Sequence, residues 1–301
     1  MENNFAKVQH QQLIVTIFGL YGTMAGGVLP VSVLVDMFAA MGVEAAAARS
    51  SVSRLKNNGT LVDRRAGKIA RYALSDKVLD SFHEGDQRIY DPQRSAPGDP
   101  WSLVIFSVPE SERNRRYELR TELTSLGFGS VGAGVAIAPS NVLEQARTRL
   151  SERGLAQYVE YFNADYLDAQ EIREKVGQWW DLESLDLQYS EFLALYRDAE
   201  ASWNNRLAAE REPVSAAGDV ARQAFGCFVP MLTLWRRFPY RDPNLPLEYL
   251  PSGWKAPDAK QMFWAVERLL APLAHAHAEA LLESRNALVP TASIQASTPA
   301  Q

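Results

Sequence analysis

Leu13, Ile14, Ile17, Phe18 and Tyr21 recur at i, i+1, i+4, i+5 and i+8, the stripe of an amphipathic helix. "GTMAGG" closes it. A second helix is predicted from Pro30, where a first helical position has no use for an N–H, to about Met41, with Leu34, Phe38 and Met41 on one face. Gly42 stops that helix, and after a "GVE" turn a third runs from about Ala45 to Asn57, ending at Asn58-Gly59, a pair suited to a left-handed cap. Ala45, Ala48, Val52 and Leu55 face inward on it, and Arg49, Ser50, Ser53, Arg54 and Asn57 face outward. Two short strands then flank Ala66-Gly67, with Val62, Ile69, Tyr72 and Leu74 as apolar members and Arg64, Arg65, Lys68 and Arg71 crowding the turn. Ser75-Asp76 caps a further helix to about Tyr90 with Val78, Leu79, Phe82 and Ile89 inward. Three helices and a basic hairpin predict a winged helix-turn-helix domain over residues 1–90.

"DPQRSAPGDP", residues 91–100, is rich in Pro and Gly and reads as a linker. Beyond it, "WSLVIFSVP" is an apolar strand and "ESERNRRYELRTELTSL" a helix with Leu119, Leu123 and Leu126 aligned. "FGSVGAGVAIAP" forms two glycine-joined strands, a helix opens at Ser140 or Asn141, and "LAQYVEYFN" is a closing strand. The order βαββαβ over 101–166 indicates a ferredoxin-like domain. Residues 167–288 read as a helical C-terminal domain, in which Tyr189, Phe192 and Tyr196 form an aromatic stripe expected to be core. The tail 289–301 reads as disordered. The fold class expected is therefore a multidomain α+β protein.

Charge changes this picture. The 301-residue chain is acidic, at −5, yet residues 48–75 hold seven Lys/Arg against one acid, Asp63. Residues 1–90 carry 10 Lys/Arg and 8 Asp/Glu, leaving 21 and 28 for the rest. A local patch sets the field a phosphate feels within a Debye length, so an acidic total does not exclude nucleic acid. The third helix is narrow, short-chained and cationic outside, which suits a major groove about 12 Å wide. Arg49, Ser50, Ser53 and Arg54 are the residues expected at base edges, Lys56 is expected to contact the DNA as well, and Arg64, Arg65, Lys68 and Arg71 are those expected at phosphates of double-stranded DNA. The apolar run Leu13 to Tyr21 is too short for a membrane span and lacks a cleavage site, so a cytoplasmic location without membrane contact is expected.

No catalytic constellation emerges. His275 and His277 lie at i, i+2 and point to different sides of a helix, so they do not share a metal, and no metal or cofactor site is expected. The single cysteine, Cys227, reads as a small buried hydrophobe. Gly127-Phe-Gly-Ser-Val-Gly132 matches GxGxxG, but a helix precedes it and a strand follows, the reverse of a dinucleotide site. Arg113, Arg116 and Arg120 share a helix face, open to solvent, DNA, an anionic ligand or a partner subunit. In the proline-broken stretch "LWRRFPYRDPNLPLEYLP", Trp235, Arg236, Arg237, Tyr240 and Arg241 combine rings with guanidiniums, a set suited either to an acyl-CoA or to pairing with local acids. An enzyme acting on a CoA thioester or nucleotide, with the N-terminal module for docking, is the alternative to a DNA-binding regulator.

The chain resembles the PaaX family of repressors of phenylacetate catabolism. The residues that carry the likeness are "RSSVSRL" at Arg49–Leu55, "GTLVDRRAGKIARYALSD" in the hairpin, "WSLVIFSVPE" opening the middle domain and "RRFPYRDPNLPLEYLP" near the end. The resemblance implies a homodimeric repressor released from its operator by an aryl-CoA such as phenylacetyl-CoA. The family's middle domain also resembles a small CRISPR-associated nuclease whose first strand ends in a metal-binding aspartate. Ser107-Val108-Pro109 stands at that strand end here, against nuclease chemistry.

Overall fold

The computed structural model describes residues 8–64, 69–76, 78–79, 94–167, 172–210 and 213–285. Helix α1 (His10–Tyr21) buries Leu13, Ile14, Ile17, Phe18 and Tyr21 as its spacing requires, and also Thr16. The second helix, α2 (Val31–Ala40), starts one residue later than the sequence suggests. Pro30 is extended, at φ −66° and ψ 144°, and with Leu29 forms strand β1 (Leu29–Pro30). A proline has no N–H to donate and so is tolerated on a sheet edge. Helix α3 (Ala45–Asn57) ends at Gly59, φ +77°, where the Thr60 N–H reaches the Leu55 carbonyl at 2.9 Å and the Gly59 N–H the Lys56 carbonyl at 3.1 Å. Strands β2 (Leu61–Asp63) and β3 (Arg71–Leu74) complete an antiparallel sheet of order β1-β3-β2. Ile69 is 52% exposed and does not join the core. The expected helix to Tyr90 lies mostly outside the described residues, as does the tail 289–301.

The central segment follows the βαββαβ order: β4 (Trp101–Phe106), α4 (Arg113–Ser125), β5 (Gly129–Gly132), β6 (Val135–Pro139), α5 (Leu143–Glu152) and β7 (Val159–Ala164). The sheet is antiparallel throughout, in the order β5-β6-β4-β7, as a ferredoxin-like fold requires. Val104, Phe106, Ala136, Ala138 and Val159 pack under Leu119, Leu123, Ala146 and Leu150 of the two helices. Glu122, nearly buried there, lies 3.7 Å from Arg149 and 3.3 Å from Arg153, which ties α4 to α5 by charge.

The C-terminal third contributes α6 (Ile172–Trp179), α7 (Leu182–Tyr196), α8 (Ala199–Ala209), α9 (Asp219–Trp235) and α10 (Ala256–Ser284). By packing, the chain forms two compact units, Met1–Glu84 with Tyr196–Leu234 and Phe263–Gln301, and Gly85–Leu195 with Trp235–Met262. The helical third therefore serves both units. In the first, α9 and α10 clasp the N-terminal helices. Tyr21 stacks on Phe225 with centroids 5.6 Å apart, and the Thr16 and Thr233 hydroxyls share a hydrogen bond of 2.9 Å. Arg285 pairs with Asp36 at 2.9 Å. Gly226 meets α2 so closely that a Cβ there would lie 2.6 Å from the Ala40 carbonyl oxygen.

In the second unit, Trp101, Trp179, Trp180 and Tyr249 form an aromatic cluster with centroids 5.9 to 6.3 Å apart. The GxGxxG glycines explain themselves here. Gly127 turns at φ +90° and its carbonyl accepts from the Trp180 indole at 3.0 Å, while a Cβ on Gly129 would sit 2.7 Å from the Trp180 ring. Within the stretch read as a linker, residues 94 and 95 are tied down: the Ser95 N–H donates to the Asn244 carbonyl at 2.9 Å and Arg94 donates to that of Leu245. Gly129→Ala is expected to cost about 2 kcal/mol of stability or more, because the indole must shift out of a packed cluster. Gly132→Ala, with nothing within 4 Å of the added carbon, is expected to fall within about 0.5 kcal/mol of the native protein. Urea midpoints of the two variants check the contrast.

Candidate nucleic-acid interface

Helix α3 is two-sided. Ala48, Ser51, Val52 and Leu55 are buried, and Arg49, Ser50, Ser53, Arg54, Lys56 and Asn57 are exposed. Ala45 is only half-buried, and Ser51, which the spacing did not assign inward, turns its hydroxyl to the Ala47 carbonyl at 2.9 Å. That back-bond satisfies a buried polar group without a tertiary partner. The outer face therefore holds two guanidiniums, two serine hydroxyls and an amide, with no acid anywhere on the helix.

The remaining cations, Lys56 in the last turn of α3 and those of the flanking hairpin, divide. Lys56 leans back toward the sheet, 3.6 Å from Asp63 and 5.8 Å from the centre of the Tyr72 ring. Arg64 is exposed, and its N–H donates to the Arg71 carbonyl at 2.9 Å, continuing the β2–β3 ladder. Arg71 is half-buried on β3. Arg65 and Lys68 lie outside the described residues. The structure thus gathers Arg49, Ser50, Ser53 and Arg54 on one surface, with Arg64 on the adjoining hairpin.

The second expected site, on the segment after α9, is held as an ordered strap. Trp235 is buried against Phe192 and Phe238 at 5.5 and 5.6 Å, so its ring belongs to the core. Arg236, Arg237 and Tyr240 are half-buried, and Arg241 is exposed and donates to the Gln188 side chain. Burial, and then the positive charge of Arg241, lowers the pKa of Arg237. Asp242, buried and unassigned by sequence, accepts from the Tyr189 hydroxyl at 2.9 Å and from the Asn244 N–H at 2.8 Å. Burial and that carboxylate push the Tyr189 pKa well above its usual value. Asn244 takes the left-handed conformation at φ 51°, which asparagine tolerates. Two larger cavities, of about 490 and 610 Å3, are lined by other residues, the first by Asp36, Arg222, His277 and Arg285 and the second by Arg173, Trp180, Asp181 and Asp186. Among the described residues no cluster of His, Cys, Asp or Glu is placed to hold a metal, and no helix is long and apolar enough to cross a membrane.

Three family models match the chain in register with this architecture: the PaaX-like protein over 9–78, the PaaX protein central Cas2-like domain over 94–176, and the PaaX-like protein C-terminal domain over 180–280. The transcriptional repressor PaaX of Escherichia coli (strain K12) is 26% identical over 274 residues, covering 90% of this chain and 83% of the relative. Among solved structures, the uncharacterized protein Rv0674 from Mycobacterium tuberculosis is similar at a TM-score of 0.49 and 23% identity, over 91% of this chain and 97% of that one.

The sequence expectation gives the helix base edges and the hairpin phosphates, and substitutions test it. Arg49→Ala or Arg54→Ala is expected to lower discrimination between a cognate and a random duplex by about 1–3 kcal/mol. Lys68→Ala is expected to weaken both duplexes alike and flatten the salt dependence by about one unit. Competition titrations at several salt concentrations distinguish these outcomes, and equal behaviour of all three variants overturns the assignment.

Proposed function

Because the chain belongs to the PaaX family, we propose that it is a transcriptional repressor of phenylacetate catabolism that binds operator DNA through an N-terminal winged helix-turn-helix and is released by an aryl-CoA thioester such as phenylacetyl-CoA. The observation that carries the reading is the acid-free outer face of α3. Its inner side is mostly small and apolar, so the helix packs closely on its neighbours with its polar face outward. On this proposal α3 enters the major groove, Arg49 and Arg54 read base edges with Ser50 and Ser53, and Lys56, Arg64, Arg65, Lys68 and Arg71 hold phosphates.

A homodimer presents two such helices to half-sites about one helical turn, ~10 bp, or a multiple apart. With about three phosphates neutralised per subunit, the logarithm of affinity falls with log salt at a slope near −5. The protein acts in the cytoplasm, as a regulator and not as an enzyme. For the effector, Arg236, Arg237 and Arg241 on the strap supply guanidiniums for the CoA phosphates. Tyr240 supplies a ring beside them, and Trp235 acts from the core by fixing the strap.

Release requires the effector to favour the state that does not bind DNA, and a coupling of about 1–3 kcal/mol gives a 5–150-fold loss of affinity. The test is a titration of the purified protein on its own upstream DNA, with and without phenylacetyl-CoA. Preference for that DNA over random duplex, lost on adding an effector that is recovered unchanged, is the expected result. No preference for the upstream DNA overturns the repressor reading, and turnover of the thioester overturns the non-enzymatic one.

A further inference from the structure

Helix α4 carries a solvent stripe that the reading above leaves unused. Arg113, Asn114, Tyr117, Arg120, Thr121 and Thr124 are all exposed, and Tyr117 is 76% so. At 1.5 Å per residue the stripe is about 16 Å long. The sequence groups Arg116 with Arg113 and Arg120, but the structure separates it. Arg116 turns aside to the Val108 carbonyl at 2.8 Å and to Glu110 at 3.2 Å.

The remaining acids near the helix are engaged as well. Glu118 pairs with Arg115 at 2.9 Å, Glu112 accepts from the Tyr158 hydroxyl at 2.5 Å, and Glu122 lies beneath, between Arg149 and Arg153. Among the described residues no acid pairs with Arg113. Arg120 donates to the Ala133 carbonyl and lies 6.0 Å from the Phe106 ring, contacts that orient it without cancelling its charge. Two uncompensated guanidiniums thus flank an exposed phenol, with an amide and two threonines alongside and no acid on the stripe. This occurs in a part of the chain that is acidic overall. Arg, Asn, Tyr and Thr are side chains that bind phosphate oxygens, and a line of them without acids is complementary to a polyanion.

We propose that this face of α4 is a second DNA contact, seated on the phosphate backbone of the duplex and adding affinity that does not depend on sequence. The proposal rests on the repressor reading. It takes the partner to be duplex DNA because the stripe offers cations and hydrogen-bond donors and little apolar area.

The test uses the full-length protein and a long duplex carrying the operator, with flanks of about four helical turns or ~40 bp on each side. Fluorescence anisotropy is followed over a salt series. Arg113→Ala is expected to lower affinity several-fold on operator and on random DNA of equal length, with the salt slope reduced by about one unit per subunit of the dimer, and the double change with Arg120→Ala by about two per subunit. Arg113→Glu is expected to lose more. Among the described residues the Arg113 side chain has no hydrogen bond or ion pair, so its single variants decide the matter if the double variant loses thermal stability. Unchanged affinity and slope in Arg113→Ala and Arg113→Glu, while Arg54→Ala still loses discrimination, overturn this proposal and leave the repressor reading standing. If Arg113→Glu binds DNA normally but sediments as a different oligomer, the stripe faces protein and the proposal fails. A native protein with no operator preference sinks the repressor reading instead.

Discussion

The close packing of α3 on small inward residues is the constraint on which the molecule's chemistry depends. Ala48, Val52 and Leu55 are nearly inaccessible, and the one polar group on that side, Ser51, is satisfied by its own helix. A helix anchored on such short side chains sits low on its neighbours, and its register leaves no choice of face. Arg49, Ser50, Ser53 and Arg54 point outward because the opposite side is fully engaged. The Schellman turn at Asn58, Gly59 and Thr60 then fixes where the hairpin departs.

Close backbone approach recurs where elements distant in sequence meet. Gly226 lets α9 rest against the carbonyl of Ala40 at the end of α2, and Gly129 admits the Trp180 ring to the edge of the central sheet. Neither glycine supplies a flexible joint. Each removes a Cβ from a contact that has no room for one, so the helical third of the chain is fitted to the N-terminal helices and to the sheet by absent atoms as much as by present ones.

Charge is organised by the same logic. An acidic protein binds a polyanion only if its acids are held away from the contact surface. Lys56 and Asp63 pair beside the sheet, Asp36 pairs with Arg285, and Glu110, Glu118 and Glu122 each have an arginine. Such pairs contribute little stability when exposed. Their consequence is spatial: the outer face of α3 and the stripe on α4 stay free of acids although the chain as a whole is acidic.

The sequence by itself determined the three N-terminal helices and the strand pair after them, the βαββαβ segment, the inward stripes of α1 and α3 and the outward position of Arg49 and Arg54. These follow from helical and strand periodicity, which is local. Only the tertiary structure decided why Thr16 is buried, since its partner Thr233 lies 217 residues away, and why Gly129 is a glycine, since Trp180 fills the space beside it. It also drew Lys56 and Arg116 out of their cationic groups, placed Trp235 in the core, held residues 94–95 to the strap and made Pro30 a strand residue. Lys56 and Arg116 answer to atoms only six to eight residues away, outside their own helices, and the others depend on contacts between segments far apart in the chain. Local periodicity states which face of an element is apolar, but not which distant atom meets it.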